Sequence, residues 1–261
     1  MNSIWRETTT IRFASVDRSD RLTLWSIFNY FQEAAISHAA DLGVGREEMS
    51  HNGHAWILSR LSLFAERRPL YGETIEISTW PRGWEKLFFH RDYTIRDAEG
   101  IAVIRGRGSW LVLDIEKRRP LRSQSVMFSL PPNDGINAVS ANPVSLEARE
   151  NLVKNGDRAA LYSDIDFYGH ANNARYIQWI QDATDIDVLT DAERIRIDIN
   201  YLNEVMPGET VEIFTAPLDE PAPCFAYEGR RAHRTSADGI PNETFQPVFR
   251  AELRTGSAAS E

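Results

Sequence analysis

Apolar residues recur at three- and four-residue intervals between Thr23 and Gly43, at Leu24, Ile27, Phe28, Phe31, Ala35 and Ile36. That spacing places them on one side of an α-helix, and Gly43 offers a natural C-terminal stop. A second helical pattern runs from Asn173 to Leu189, with Ile177, Ile180 and Ala183 on one side and Asn172 or Asn173 as its cap. Each helix follows a strand-like stretch and precedes β-rich sequence. After the first comes FFHRDYTIRDAEGIAVIRGRGSWLVLD, and after the second come AYEGRRAHR and QPVFRAELR.

The two patterns are copies. SVDRSDRLTLWSIFNYFQEAA, from Ser15, aligns without a gap on DIDFYGHANNARYIQWIQDAT, from Asp164, so that Asp17 falls on Asp166, Gln32 on Gln181 and Ala34 on Ala183. Downstream, Gly72–Ile77 (GETIEI) is echoed by Gly208–Ile213 (GETVEI). Matched pieces in the same order are what an internal duplication leaves behind. Residues 1–130 therefore form one repeat and 156–255 the other. The Pro-, Asn- and Gly-rich stretch 131–155 reads as a linker, and 256–261 as a tail.

Composition narrows the class. Of 261 residues, 42% are hydrophobic and 26% charged, the balance of a globular chain with a real core. No apolar run approaches a transmembrane length, and the N-terminus lacks the apolar core of a secretory signal. The net charge of −9 argues against nonspecific nucleic-acid binding. The single cysteine, Cys224, fits a reducing cytoplasm and reads as a small apolar residue. The six histidines show no metal-binding spacing, so no metal and no organic cofactor is expected. Basic residues cluster at Arg67–Arg68, Arg105/Arg107, Lys117–Arg119 with Arg122, and Arg230–Arg234. Such clusters are either surfaces that steer an acidic partner or ordinary solvated strand ends.

The copies differ where the second helix begins. Asp164–Tyr176 (DIDFYGHANNARY) crowds carboxylates, a phenol, a histidine and two amides around Gly169. The sister copy has Arg21 in place of His170, and Thr23 and Leu24 in place of Asn172 and Asn173. Starting the helix therefore does not require this cluster. Asp164 reads as a turn and capping residue, and the two asparagines serve as caps more readily than as catalysts.

A strand leading to a long helix, with D-x-x-G-H-x-N at its entrance, resembles the hotdog fold of thioesterases. Duplication with the site in the second copy alone resembles the acyl-acyl carrier protein thioesterases of plants and bacteria. The resemblance implies an α+β chain of two tandem hotdog repeats, each an antiparallel sheet wrapped around one long helix. It places Asp166 and His170 on the family's catalytic aspartate and histidine. Glu204, within INYLNEVMPGETVEI, falls on its further acidic residue. Val205 occupies a position that is often cysteine in plant members, which favours an acid over a thiol as the working group. Tyr168 departs from the family's usual asparagine and joins the catalytic candidates as a phenolic donor. Gly169, Asn172, Asn173 and Trp56 are the substrate-binding candidates; Trp80, Trp84 and Trp110 suit an acyl pocket or simple core packing.

The chemistry agrees with this. Thioester hydrolysis needs a nucleophile, a proton acceptor and donors for the developing oxyanion. A helix N-terminus offers free N–H groups and the positive end of its dipole. His170 adds a donor, and Asp166 or Glu204 either activates water or attacks directly. The implied activity is hydrolysis of fatty acyl-acyl carrier protein, releasing free fatty acid and ending chain elongation. The implied partner is the acidic acyl carrier protein, with no nucleic acid, no membrane and a homodimer left open. An acyl-CoA thioesterase and a non-catalytic acyl-binding hotdog module are the alternatives.

Overall fold

A computed structural model describes residues 3–126, 128–220, 223–235 and 242–256; for 232–235 and 242–244 it describes the backbone alone. The chain divides into two compact units, Met1–Val144 and Ser145–Glu261. The division falls inside the stretch read as a linker, and the first strand of the second unit, starting at Val153, already occupies its last residues.

In the first unit, β1 (Trp5–Thr10) leads through a turn into α1 (Leu24–Asp41) and a short α2 (Arg46–His51). The strands β2 (His54–Ala65), β3 (Thr74–Glu85), β4 (Phe88–Arg96), β5 (Ala102–Asp114) and the short β6 (Arg119–Pro120) follow. They pair antiparallel in the order β1-β3-β4-β5-β2, with β6 on β5. Thr23 caps α1 by accepting from the Ser26 N–H, and Gly43 stops it with φ +69°. Leu24, Ile27, Phe28, Phe31 and Ala35 are buried as their period predicts, and the Phe31 ring stacks on Tyr93 of β4 at 4.6 Å. Ile36 does not join them: it is 44% exposed, while His38 is buried and meets the Arg91 guanidinium at 3.0 Å.

The second unit repeats the plan with β7 (Val153–Ala159), α3 (Asn173–Asp182), α4 (Ile186–Asp191), β8 (Arg194–Tyr201), β9 (Thr210–Pro217), β10 (Cys224–Thr235) and β11 (Asn242–Gly256). Its antiparallel order is β8-β11-β10-β9-β7. The helix predicted from Asn173 to Leu189 breaks after Asp182. The Thr184 hydroxyl bonds back to the Ile180 carbonyl, and Asp185 caps a new helix by accepting from the Asp187 N–H. Hydrophobic period alone does not register two side chains that compete for the backbone. Ile177 and Ile180 are buried, and Tyr176 packs edge-on against Tyr201 and Phe249, fixing α3 on β8 and β11. Cys224 is free and buried, and burial pushes its thiol up to about 11.

No described helix is long and apolar enough to cross a membrane. Most of the basic clusters are consumed internally. Arg67 pairs with Glu73 and Asp97, Arg68 with Asp17, Arg105 with Glu66, Arg107 with Asp92, Arg230 with Glu228 and Arg231 with Glu209. Lys117 pairs with Asp114. Arg118, Arg119 and Arg122 are exposed, and the side chains of His233 and Arg234 lie outside the described residues.

Candidate active site

The turn from Asp164 to Ala171 is a hydrogen-bonded knot that ends where α3 begins. The Asp166 N–H donates to the His170 carbonyl at 3.0 Å, and Gly169 returns an N–H to the Asp166 carbonyl at 3.0 Å. Asp166 Oδ1 accepts from the Tyr168 N–H at 2.8 Å, an Asx turn that aims the carboxylate. Gly169 takes φ +87°, a conformation side chains resist, which explains a glycine in the middle of the cluster. The Asn172 N–H donates to the Asp164 carbonyl at 2.8 Å, while its side chain caps α3 through the Ala174 N–H.

This knot sets His170 between two carboxylates. Its Nδ1 lies 3.9 Å from Asp166 Oδ1 and 3.4 Å from the Ala171 carbonyl, and its Nε2 lies 3.8 Å from Glu204 Oε1. Both carboxylate separations exceed a direct hydrogen bond and leave room for movement or a bridging atom. The Glu204 side chain is 63% exposed and that of Asp166 only 15%, so the two acids are differently suited to meet solvent. Glu204 sits in the loop between β8 and β9 rather than on a strand. Tyr168 stacks on the imidazole, ring centroids 6.0 Å apart, and against Phe167 at 4.4 Å. Its link to Asp166 runs through the backbone N–H; the ring itself is 48% exposed.

Several supports were not legible in the sequence. The Tyr201 hydroxyl donates to the Asn173 carbonyl at 3.2 Å, and the Tyr176 hydroxyl to the Asn203 carbonyl at 3.3 Å. Burial raises both phenols well above their ordinary range, so they serve as neutral donors. Arg231 donates to the Glu204 carbonyl at 3.1 Å and to Glu209 Oε2 at 2.7 Å, and also bonds Gln246. Gln246 in turn donates to Asn203 Oδ1 at 3.0 Å. Arg231, Gln246 and Asn203 thus brace the loop that carries Glu204. They come from separate strands and loops, so no spacing announces them. Trp56 lies in the first unit, in a packed cluster with Phe89 and Phe128, its indole N–H on the Val44 carbonyl. Among the described residues no group of three or more His, Cys, Asp and Glu side chains is arranged to hold a metal ion.

The sister turn repeats this backbone almost bond for bond. Asp17 N–H donates to the Arg21 carbonyl at 2.9 Å, Asp17 Oδ1 accepts from Ser19 N–H at 2.8 Å, and Asp20 takes the positive φ of Gly169, at 59°. Leu22 N–H reaches the Pro69 carbonyl, as Ala171 N–H reaches that of Val205, each at 2.8 Å. Arg68 therefore stands where the second unit has Glu204.

Residues 2–127 match the model of the acyl-ACP thioesterase N-terminal domain, and residues 153–247 that of the acyl-ACP thioesterase C-terminal domain. An acyl-[acyl-carrier-protein] hydrolase of Cuphea viscosissima is 29% identical over 226 residues, 81% of this chain and 54% of that protein. A palmitoyl-acyl carrier protein thioesterase of Arabidopsis thaliana is 23% identical, over 82% of this chain and 55% of that one. The chain spans about half the length of the curated relatives it matches. Among solved structures, an acyl-ACP thioesterase from Bacteroides thetaiotaomicron superposes with a TM-score of 0.83 at 22% identity, covering 97% of this chain and 98% of that one. A 12:0-ACP thioesterase from Umbellularia californica gives 0.72 at 20% identity, over 96% and 93%. The fold is accordingly the double hotdog, α+β, that the family resemblance implies.

Proposed function

The chain belongs to the acyl-ACP thioesterase family, and on that footing we propose that it hydrolyses the thioester of fatty acyl-acyl carrier protein, releasing free fatty acid. One observation carries the reading: His170 is set between Asp166 and Glu204 at the mouth of α3, whereas the sister turn holds Arg21 and Arg68 instead. The same scaffold occurs twice, and only one copy bears a histidine flanked by two carboxylates.

In this mechanism the thioester carbonyl lies over Gly169–His170 and the first turn of α3. There the helix N-terminus, with Asn172 and Asn173 at its head, polarises the oxygen. Glu204, the exposed acid, takes the proton from the attacking water. His170 donates to the developing oxyanion or the leaving thiolate, and Asp166, held by the Tyr168 N–H, keeps the imidazole oriented. The Tyr168 ring covers one face of that imidazole. Trp56, in an aromatic cluster of the first unit, offers apolar surface of the kind an acyl chain packs against. A reducing compartment such as the cytoplasm suits the unpaired Cys224.

Thiol release from acyl-acyl carrier protein and from acyl-CoA, against an enzyme-free control, tests the proposal. The carrier-bound substrate should be cleaved with the higher kcat/KM, and His170→Ala should lower it by ~10²–10⁴-fold. Preference for the CoA ester would reassign the carrier, and turnover of neither would leave an acyl-binding module.

A further inference from the structure

Glu204 lies between two residues whose carbonyls are both held by the segment that carries His170. The Ala171 N–H donates to the Val205 carbonyl at 2.8 Å, and the Tyr176 hydroxyl to the Asn203 carbonyl at 3.3 Å. Arg231, on β10, donates to the Glu204 carbonyl between them. The Glu204 side chain is mostly exposed, so the place where its backbone is pinned decides where the carboxylate can reach.

The sister copy separates the general anchor from the special one. There the Leu22 N–H reaches the Pro69 carbonyl, the counterpart of the Ala171 bond. The counterpart of Tyr176 is Ile27, since each stands four residues beyond its helix cap, Asn172 or Thr23. Ile27 is buried and its side chain has no hydrogen-bond donor. Filling that core position therefore needs no hydroxyl, and burying one costs free energy unless it is hydrogen-bonded. The copy that bears the hydroxyl is the copy that bears the acid.

We propose that Tyr176 is a positioning residue for hydrolysis: its hydroxyl holds the Asn203 carbonyl and thereby sets the Glu204 carboxylate at working distance from His170. The proposal rests on Glu204 being the base of the reaction described above. Glu204 Oε1 lies 3.8 Å from His170 Nε2, and a displacement of about 1 Å in such a constellation can cost about 10²-fold in rate. The phenol is suited to a fixed tether. Burial, then the Glu204 charge, pushes it above its usual range, with Asp166 acting the same way and the Val205 N–H and Arg231 opposing. It therefore stays a neutral donor, close enough to both carboxylates of the site to feel their charge.

Tyr176→Phe in the full chain removes the hydroxyl and keeps the ring among its neighbours. With acyl-acyl carrier protein as substrate, kcat should fall about 10- to 100-fold while KM stays within about twofold and Tm changes little. Hydrogen–deuterium exchange, which needs no turnover, should quicken at residues 202–209. In a Glu204→Gln background, followed under single turnover, Tyr176→Phe should add almost no further loss, because it acts through the acid already removed. The same fold-loss in both backgrounds, or a Phe variant with the parent's kcat and exchange, would overturn the proposal. A Phe variant that fails to fold would assign the hydroxyl to stability and overturn it too, as would a Glu204→Gln variant with the parent's rate. A parent that cleaves no thioester marks a different failure, that of the proposed function, and the exchange data then still show whether the hydroxyl holds the loop.

Discussion

Arg68 Nη1 lies 2.5 Å from Asp17 Oδ2, at the position where the second unit places Glu204 beside His170. One turn has become a buried ion pair and the other an open set of titratable groups, on matching backbones.

The two turns should therefore respond oppositely to substitution. Arg68→Ala removes the partner of Asp17 from a buried site and should cost about 3–5 kcal/mol of stability. Asp166→Asn, which keeps the Asx turn and has no direct ion pair to lose, should cost under about 1 kcal/mol while removing most hydrolysis. Urea unfolding beside thiol release measures both. Equal destabilisation by the two variants would mean that the second turn is structural as well.

Tyr168 is separable into ring and hydroxyl. Because its backbone N–H makes the bond to Asp166, Tyr168→Asn and Tyr168→Phe should both preserve the turn. If the phenol donates in the transition state, Tyr168→Phe should lose about 10- to 1,000-fold in kcat while Tyr168→Asn retains substantial rate. A Phe variant matching the parent would reduce the tyrosine to a wall beside His170.

Arg231 should act through the loop it braces. Arg231→Ala removes the donor to the Glu204 carbonyl and the cation beside Glu209. The expected result is a kcat loss of about 10-fold or more with KM little changed, and partial rescue by Arg231→Lys. A Tm loss without a change in the kcat pH profile would assign Arg231 to stability alone.

His90 predicts a pH dependence of folding. Its pKa of about 4 in the folded protein lies below the unfolded value of 6.5, so the unfolded chain binds the extra proton between those pH values. Stability should rise with pH from about 4 to 6.5 and then level off. The contribution of this group is on the order of 3 kcal/mol at most. His90→Gln should flatten that part of the curve in denaturant titrations at fixed ionic strength. An unchanged slope would show that other groups govern it.

The candidate site was legible to the extent that it is local. Asp166, His170 and Gly169 lie within one turn, where spacing fixes geometry and a positive φ calls for glycine. Comparison with the sister copy then removed the part needed only to start a helix. Ile36 and the break after Asp182 were misread because hydrophobic period averages over a helix. Whether one position faces the core, or one hydroxyl bonds back onto a carbonyl, depends on neighbours outside that average.

By itself the sequence determined the duplication, the starts of the two helices with their caps and the turn that bears the candidate groups, because these rest on periodicity and backbone geometry within a few residues. Tertiary structure decided which charges are available. It paired Arg68 with Asp17, placed Glu204 near His170 and tied Arg231 to the Glu204 loop. It also buried His90 Nε2 and Arg82 Nε without hydrogen-bond partners. A charge's partner is set by distance in space and by loss of solvent, and strand pairing brings together residues whose separation along the chain carries no signal.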